Sequence, residues 1–220
     1  MRRLHLRNSV WCVLIFLACG LAVSFAGAQA SDLLRAAKGG DLARVQALLA
    51  AGVPVDAKDG NGDTALVLAS ANGHLAVVNL LLAKGAVVNP KGIGDDTALM
   101  AASDAGHLDV VQVLLAKGAD MNAQSMDGTT PLIAAIEKKH SDVAEALIDH
   151  GADVNLKGSL GETALMAASV TGDLAIVQAL LGKRAAVNEK MTNGMSALDM
   201  AQAGQHTEVA AALVKAGATP

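Results

Sequence analysis

Gly62-Asp63-Thr64-Ala65-Leu66, followed by Gly73-His74-Leu75, Leu80-Leu81-Leu82 and Gly85-Ala86, decides the fold, because these landmarks return at a step of 33 residues. The Thr64 position recurs as Ser31, Thr97, Thr130, Thr163 and Ser196. The Gly73 position recurs as Gly40, Gly106 and Gly172, with Lys139 and Gln205 in the remaining slots. Gly52, Gly118, Gly151 and Gly217 keep step with Gly85, and Arg184 is the exception. The pairs Leu48-Leu49, Leu81-Leu82, Leu114-Leu115, Leu147-Ile148, Leu180-Leu181 and Leu213-Val214 complete the register. An unbroken period of this size marks a stacked repeat protein, whose function lies on a surface assembled from several units.

Each unit reads as two short helices. Ala65 to Ala71 presents Leu66 and Ala69 at i, i+3 spacing, and Leu75 to Lys84 places Val77, Val78, Leu81 and Leu82 on one side. The threonine before the first helix is an expected N-cap. Gly85 and its equivalents sit where a helix C-cap needs a left-handed residue, and the Lys84, Lys117, His150 and Lys183 that precede them complement the helix C-terminus. Asp59-Gly60-Asn61-Gly62 has the chemistry of a tight hairpin tip. No unit buries its apolar face alone, so stacking must supply the core, with the alanines at 101, 102, 134, 135, 167 and 168 allowing close helix approach.

These residues resemble the ankyrin repeat, whose pattern runs G-x-T-P-L-H-x-A-A, G-H-L, V-V-x-L-L and G-A-D-V-N. Thr130-Pro131-Leu132 and Gly151-Ala152-Asp153-Val154-Asn155 carry it most fully. The chain departs from it in keeping the proline only at Pro131, and in placing Val67, Met100, Ile133, Met166 and Asp199 where the family has histidine. The resemblance spans about Ser31 to Thr219 and implies an all-α repeat solenoid, an ankyrin-repeat stack of helix-turn-helix units with hairpin loops. The expected organisation is a capping helix pair at 31–58, repeats at 59–91, 92–124, 125–157 and 158–190, and a partial capping repeat at 191–220.

Residues 1–28 read as a secretory signal peptide. Arg2, Arg3 and Arg7 form the basic region, Val10 to Ala18 the apolar one, and Ala26-Gly27-Ala28 and Ala28-Gln29-Ala30 are small-x-small cleavage patterns. An uncleaved anchor or lipidation at Cys19 are the alternatives. Cleavage removes both cysteines and Trp11, Phe16 and Phe25, the only aromatics. It leaves 14 basic against 21 acidic residues, a formal charge of −7, which argues against a nucleic-acid surface. The mature chain is expected to be exported, periplasmic for preference, monomeric and off the membrane.

Several chemical patterns reduce to structure. His74, His107, His140 and His206 resemble a metal row, but packed helices lie about 8–10 Å apart, whereas ligands of one zinc lie within about 4 Å of each other. Asp59, Asn61 and Asp63 begin like a calcium loop, but Thr64 and Ser70 stand where Gly and Glu are required. Gly60-Asn61-Gly62 lacks a preceding strand for a dinucleotide site, and Gly158-Ser159-Leu160-Gly161 is not a nucleophile elbow. Asp142, Glu145 and Asp149 form a solvated helix stripe. No cofactor, metal site or catalytic constellation is therefore expected.

One pattern exceeds the repeat consensus. Lys58, Lys91, Lys157 and Lys190 precede the hairpin tips, Asp63, Asp96 and Glu162 follow them, and Gln124 and Thr129 replace both members in one repeat. The expectation is a cross-strand ion pair within each hairpin; the alternative is a charged ladder that reads a partner. The tips also carry Ile93, Met126, Leu160 and Met195. The resemblance implies contacts through the tips and the exposed side of the first helix. By register these are Lys58, Asn61, Asp63, Asn72, Ile93, Asp96, Asp104, Met126, Asp127, Thr129, Glu137, Lys138, Leu160, Glu162, Val170, Thr171 and Met195. The expected function is a non-enzymatic scaffold that binds another protein, with an inhibitor or protective partner of an exported enzyme as a narrower form. A hydrolase or ligand-binding protein using Asp104 or Glu137 is the alternative from another class.

Overall fold

The computed structural model describes residues 27–92 and 94–219. Residues 1–26, which hold most of the expected signal peptide with Trp11, Cys12 and Cys19, and the tip residue Ile93 lie outside the described residues. Among the described residues, no helix is long and apolar enough to cross a membrane.

The helices form two rows. After α1 (27–38) and α2 (Leu42–Ala50), the inner row is α3 (Ala65–Ala71), α5 (Ala98–Asp104), α7 (Pro131–Glu137), α9 (Ala164–Thr171) and α11 (Ala197–Ala203). The outer row is α4 (Leu75–Ala83), α6 (Leu108–Ala116), α8 (Ser141–Asp149), α10 (Leu174–Gly182) and α12 (Thr207–Lys215). Each helix packs on its hairpin partner and on the same helix of the neighbouring repeats. One continuous core results, with Leu66, Leu99, Leu132, Leu165 and Leu198 from the inner row and Leu81, Leu114, Leu147, Leu180 and Leu213 from the outer row, all buried. Ala102, Ala135, Ala168 and Ala201 are wholly buried in the inner row; a methyl at that position lets short helices approach closely, so a core forms without aromatic residues.

The expected caps are present. The hydroxyls of Thr64, Thr97, Thr130, Thr163 and Ser196 accept from the backbone N–H three residues on, at the starts of α3, α5, α7, α9 and α11. Asp199 closes a capping box with Ser196. Ser31 departs from the register: it lies inside α1 and donates to the Gly27 carbonyl at 3.1 Å. The helix has already begun at that point, so the hydroxyl has no free helix N–H to accept from.

The histidines join one repeat to the next. His74 Nε2 lies 2.9 Å from the Lys38 carbonyl, His140 Nε2 3.1 Å from that of Asp104, and His206 Nε2 3.0 Å from that of Val170. Each ring sits over the inter-helix turn of the preceding repeat. A Cβ at Gly73 would meet the His107 ring at 2.6 Å, and one at Gly172 the His206 ring at 2.5 Å; Gly40 and Gly106 stand likewise beneath His74 and His140. The exceptions obey the same rule. Lys139, with φ 63°, keeps the left-handed turn, and Asp173 replaces the histidine that would cover it. Asp173 instead caps α10 by accepting from Ile176 N at 3.1 Å and from Ser141 Oγ at 2.5 Å. Gln205, φ 58°, keeps the left-handed turn as well.

A second seam links the loops after the outer helices. Asn89, Asn122, Asn155 and Asn188 accept through Oδ1 from Asp120, Asp153, Ala186 and Thr219 N–H, each at 2.8–2.9 Å. These asparagines end the G-A-D-V-N pattern. They recur because every loop must satisfy a backbone donor of the next one.

The concave groove as candidate functional site

The hairpins are tight turns rather than strands. Lys58–Thr64 and Lys190–Ser196 form single antiparallel bridges, and Asp59 Oδ1 accepts from Asn61 and Asp63 N–H at 2.8 and 3.0 Å. Successive tips are tied by backbone bonds: Met126 N to Gly94 O at 2.8 Å, Ser159 N to Asp127 O at 2.8 Å, and Thr192 N to Leu160 O at 2.9 Å. Gly128, φ 79°, sits where a Cβ would meet Gly158 Cα at 2.7 Å, so this junction excludes side chains. The tips and the inner helices thereby form one concave wall.

The expected ion pairs within each hairpin do not form. Lys58 Nζ donates to the Lys91 carbonyl of the next repeat at 3.0 Å, and Lys157 Nζ reaches Glu189 of the next repeat at 2.6 Å. Lys91 lies 3.6 Å from Asp95 rather than on Asp96. Gln124 Nε2 donates to the Lys157 carbonyl at 2.9 Å. Lys58, Lys157 and Gln124 thus share one role, each placing a donor on the following repeat, so glutamine can stand where lysine does.

Asp63, Asp96 and Glu162, left without the lysines of their own hairpins' expected pairs, face the groove. One hollow of about 690 Å³ is lined by Asp63, Asp96, Asp104, Met126, Asp127, Thr129, Glu137 and Lys138, with Val67, Met100 and Ala101 beneath them. A second, about 270 Å³, adjoins it at Glu137 and takes in Leu160, Glu162, Val170 and Thr171 over Met166, Met191 and Met200. The remaining positions stand apart. Lys58 is committed to its carbonyl, Asn61 is exposed at a tip, and Met195 is half-buried in the last one. Asn72 caps α3 and donates through Nδ2 to the Leu68 carbonyl at 2.8 Å. Met126 is 77% exposed, and Leu160 and Val170 are 57% exposed each, so stacking of the tips leaves these apolar groups uncovered.

The electrostatics of the wall are one-sided. Burial first, then Asp59 and Asp96, push the Asp63 carboxyl above its ordinary value. Asp96 is raised by burial, then by Asp127, Asp104 and Asp95. Glu137 is raised by burial, then by Glu162, Asp127 and Asp104, against the opposing Lys138. Asp127 is lowered, because the Ser125 hydroxyl and the Thr129 N–H donate to it. Lys138 lies 3.6 Å from Asp104 and is the one cation among the described residues lining either hollow.

Sequence reasoning did not single out Val67, Met100 and Met166 as groove residues, although it noted them in the slot where the family has histidine. That substitution was the available signal, since an apolar residue replaced a polar one at the groove floor. Met191 and Met200 gave no such signal, as nothing in their own repeat shows that the stack brings them beside Met166.

Among curated proteins, none matches the chain. A family model described as ankyrin repeats (3 copies) matches residues 33–125, 93–158 and 155–220. Members of this family generally act as non-enzymatic scaffolds that mediate protein–protein interaction. With the helix pairs stacked in two rows and the hairpin tips in a third line, the chain belongs to the ankyrin-repeat family.

Proposed function

We propose that the protein is an exported, monomeric scaffold that binds another protein through the concave groove. The observation that carries this reading is the convergence of tip and inner-helix residues from successive repeats on two adjoining hollows, with Met126, Leu160 and Val170 left uncovered there. The groove lacks tryptophan and tyrosine, two of the commonest hot-spot residues, so its contacts are spread over several repeats. Export rests on Arg2, Arg3 and Arg7 ahead of the apolar run Val10 to Ala18. Among the described residues the first buried one is Leu33, so residues 27–30 add no buried side chain that cleavage after Ala28 or Ala30 would remove.

The test is capture of the partner from the exported fraction. Ile93→Asp, Met126→Asp and Leu160→Asp together should abolish capture, and each alone should weaken it modestly. Asp142→Lys with Glu145→Lys, on the exposed side of α8, should leave it intact. The reverse result would sink the concave-face reading. Intact mass of the exported protein should show a chain beginning after Ala28 or Ala30; retention of Trp11 or a lipidated Cys19 would refute cleavage there.

A further inference from the structure

The smaller hollow has the properties of a subsite for one kind of side chain. Its volume of about 270 Å³ falls below the roughly 300–1,000 Å³ of sites for drug-sized molecules. Its walls include Leu160, Met166, Val170, Met191 and Met200, and the thioethers among them are soft and adaptable. Glu137 and Glu162 share this apolar space.

Neither carboxylate has a cationic partner within hydrogen-bonding reach among the described residues. Lys138, beside Glu137, is 3.6 Å from Asp104, and Lys157, in the repeat of Glu162, is 2.6 Å from Glu189. Glu162 Oε2 is buried with no hydrogen-bond partner. Glu137 is exposed at the rim, whereas the unpartnered Glu162 oxygen against apolar walls is costly to an unliganded protein. The two carboxylates suit an incoming side chain that carries an aliphatic stem and a cationic head.

We propose that the cleft between α9 and α11 is an anchor subsite for a long basic side chain of the protein partner, arginine or lysine. The stem lies against Met166, Met191 and Met200, and the head meets Glu137 and Glu162. A neutral apolar side chain fills the walls but leaves both carboxylates unpaired. An acidic one adds repulsion. The neighbouring hollow carries Asp96, Asp104 and Asp127, so the surface around this side chain on the partner is selected for the same positive sign.

This subsite rests on the protein-binding reading, and its test is separate. Full-length protein labelled with carbon-13 at the methionine methyls is titrated with acetyl-Ala-Ala-Arg-Ala-Ala-amide, and with the same peptide carrying norleucine or glutamate at the centre. The arginine peptide should shift the Met166, Met191 and Met200 signals saturably. The norleucine peptide should bind at least about tenfold more weakly, the worth of a charge-assisted hydrogen bond, and the glutamate peptide should leave the signals unmoved. Glu137→Gln with Glu162→Gln should remove the preference for arginine while the other methionine signals stay in place. Equal binding of arginine and norleucine, or an arginine preference that survives the double substitution, would overturn the subsite. If capture of the partner depends on the tips while the arginine peptide leaves these methyls unmoved, the scaffold stands and the subsite falls. If the peptide binds but capture ignores the tips, the subsite stands and the scaffold reading falls.

Discussion

Lys139 and Asp173 show how one residue constrains another a repeat away. A histidine in the Asp173 slot would lay its ring over the turn at Lys139, where a side chain already projects. Asp173→His alone should therefore destabilise the protein, both by that clash and by loss of the Ser141 contact. Lys139→Gly should be neutral or stabilising, since left-handed backbone costs a non-glycine residue about 1 kcal/mol or more. Combined, the two changes should recover stability relative to Asp173→His, with a favourable coupling within the roughly 0.5–3 kcal/mol seen for contacting residues. Urea melts of the four proteins in the cycle check this; zero coupling would show that histidine and glycine co-occur for some other reason.

At the scale of the element, a hairpin tip and an outer helix answer differently to truncation. Lys91 is half-exposed and 3.6 Å from an equally exposed Asp95, so Lys91→Ala should change stability by no more than about 0.5 kcal/mol. Leu114 on α6 is wholly buried, and Leu114→Ala should cost about 2–5 kcal/mol through the cavity it opens. Denaturant midpoints that place Lys91→Ala as the worse change would invert the assignment of tip and core. Helix starts were legible at this scale because a cap is local: Thr64 and the Val67 N–H it serves are three residues apart. The lysine contacts were not. Lys58 and Asp63 are near neighbours in sequence, and pairing them was the local solution. Stacking places the Lys91 carbonyl within reach of Lys58 instead, and an exposed ion pair gains too little to compete with a fixed acceptor.

Over the whole molecule, the acids of the concave wall set a pH response. Asp63, Asp96 and Glu137 are raised above their ordinary values. Their contribution to stability is therefore fully present below the unfolded values, 3.8 for aspartate and 4.5 for glutamate, and is lost as pH rises through the folded ones. Asp127 and Asp199 are lowered, chiefly by the Ser125 and Ser196 hydroxyls. Their contribution is present above 3.8 and is lost as pH falls through the folded values. Urea midpoints should thus rise as the medium is acidified from neutrality toward the ordinary carboxylate range, and fall below it. Affinity for a basic partner should run the other way over the upper window, weakening with acidification as the groove loses charge. Urea midpoints that only fall on acidification would remove groove repulsion as a force in this fold.

The sequence by itself determined the repeat, the paired helices, the caps and the leucine core, because each follows from periodicity and from contacts a few residues long. It also placed the tip and inner-helix positions in one register. Only the tertiary structure decided which of them meet. Asp63, Asp96, Asp127 and Glu162 belong to successive repeats, and nothing within one repeat shows that their carboxylates share a wall while Lys58 and Lys157 reach forward to other acceptors. Met166, Met191 and Met200 likewise become one surface only when neighbouring units stack. Local chemistry fixed each unit, and the step between units, set by helix packing and the histidine and asparagine seams, fixed the site.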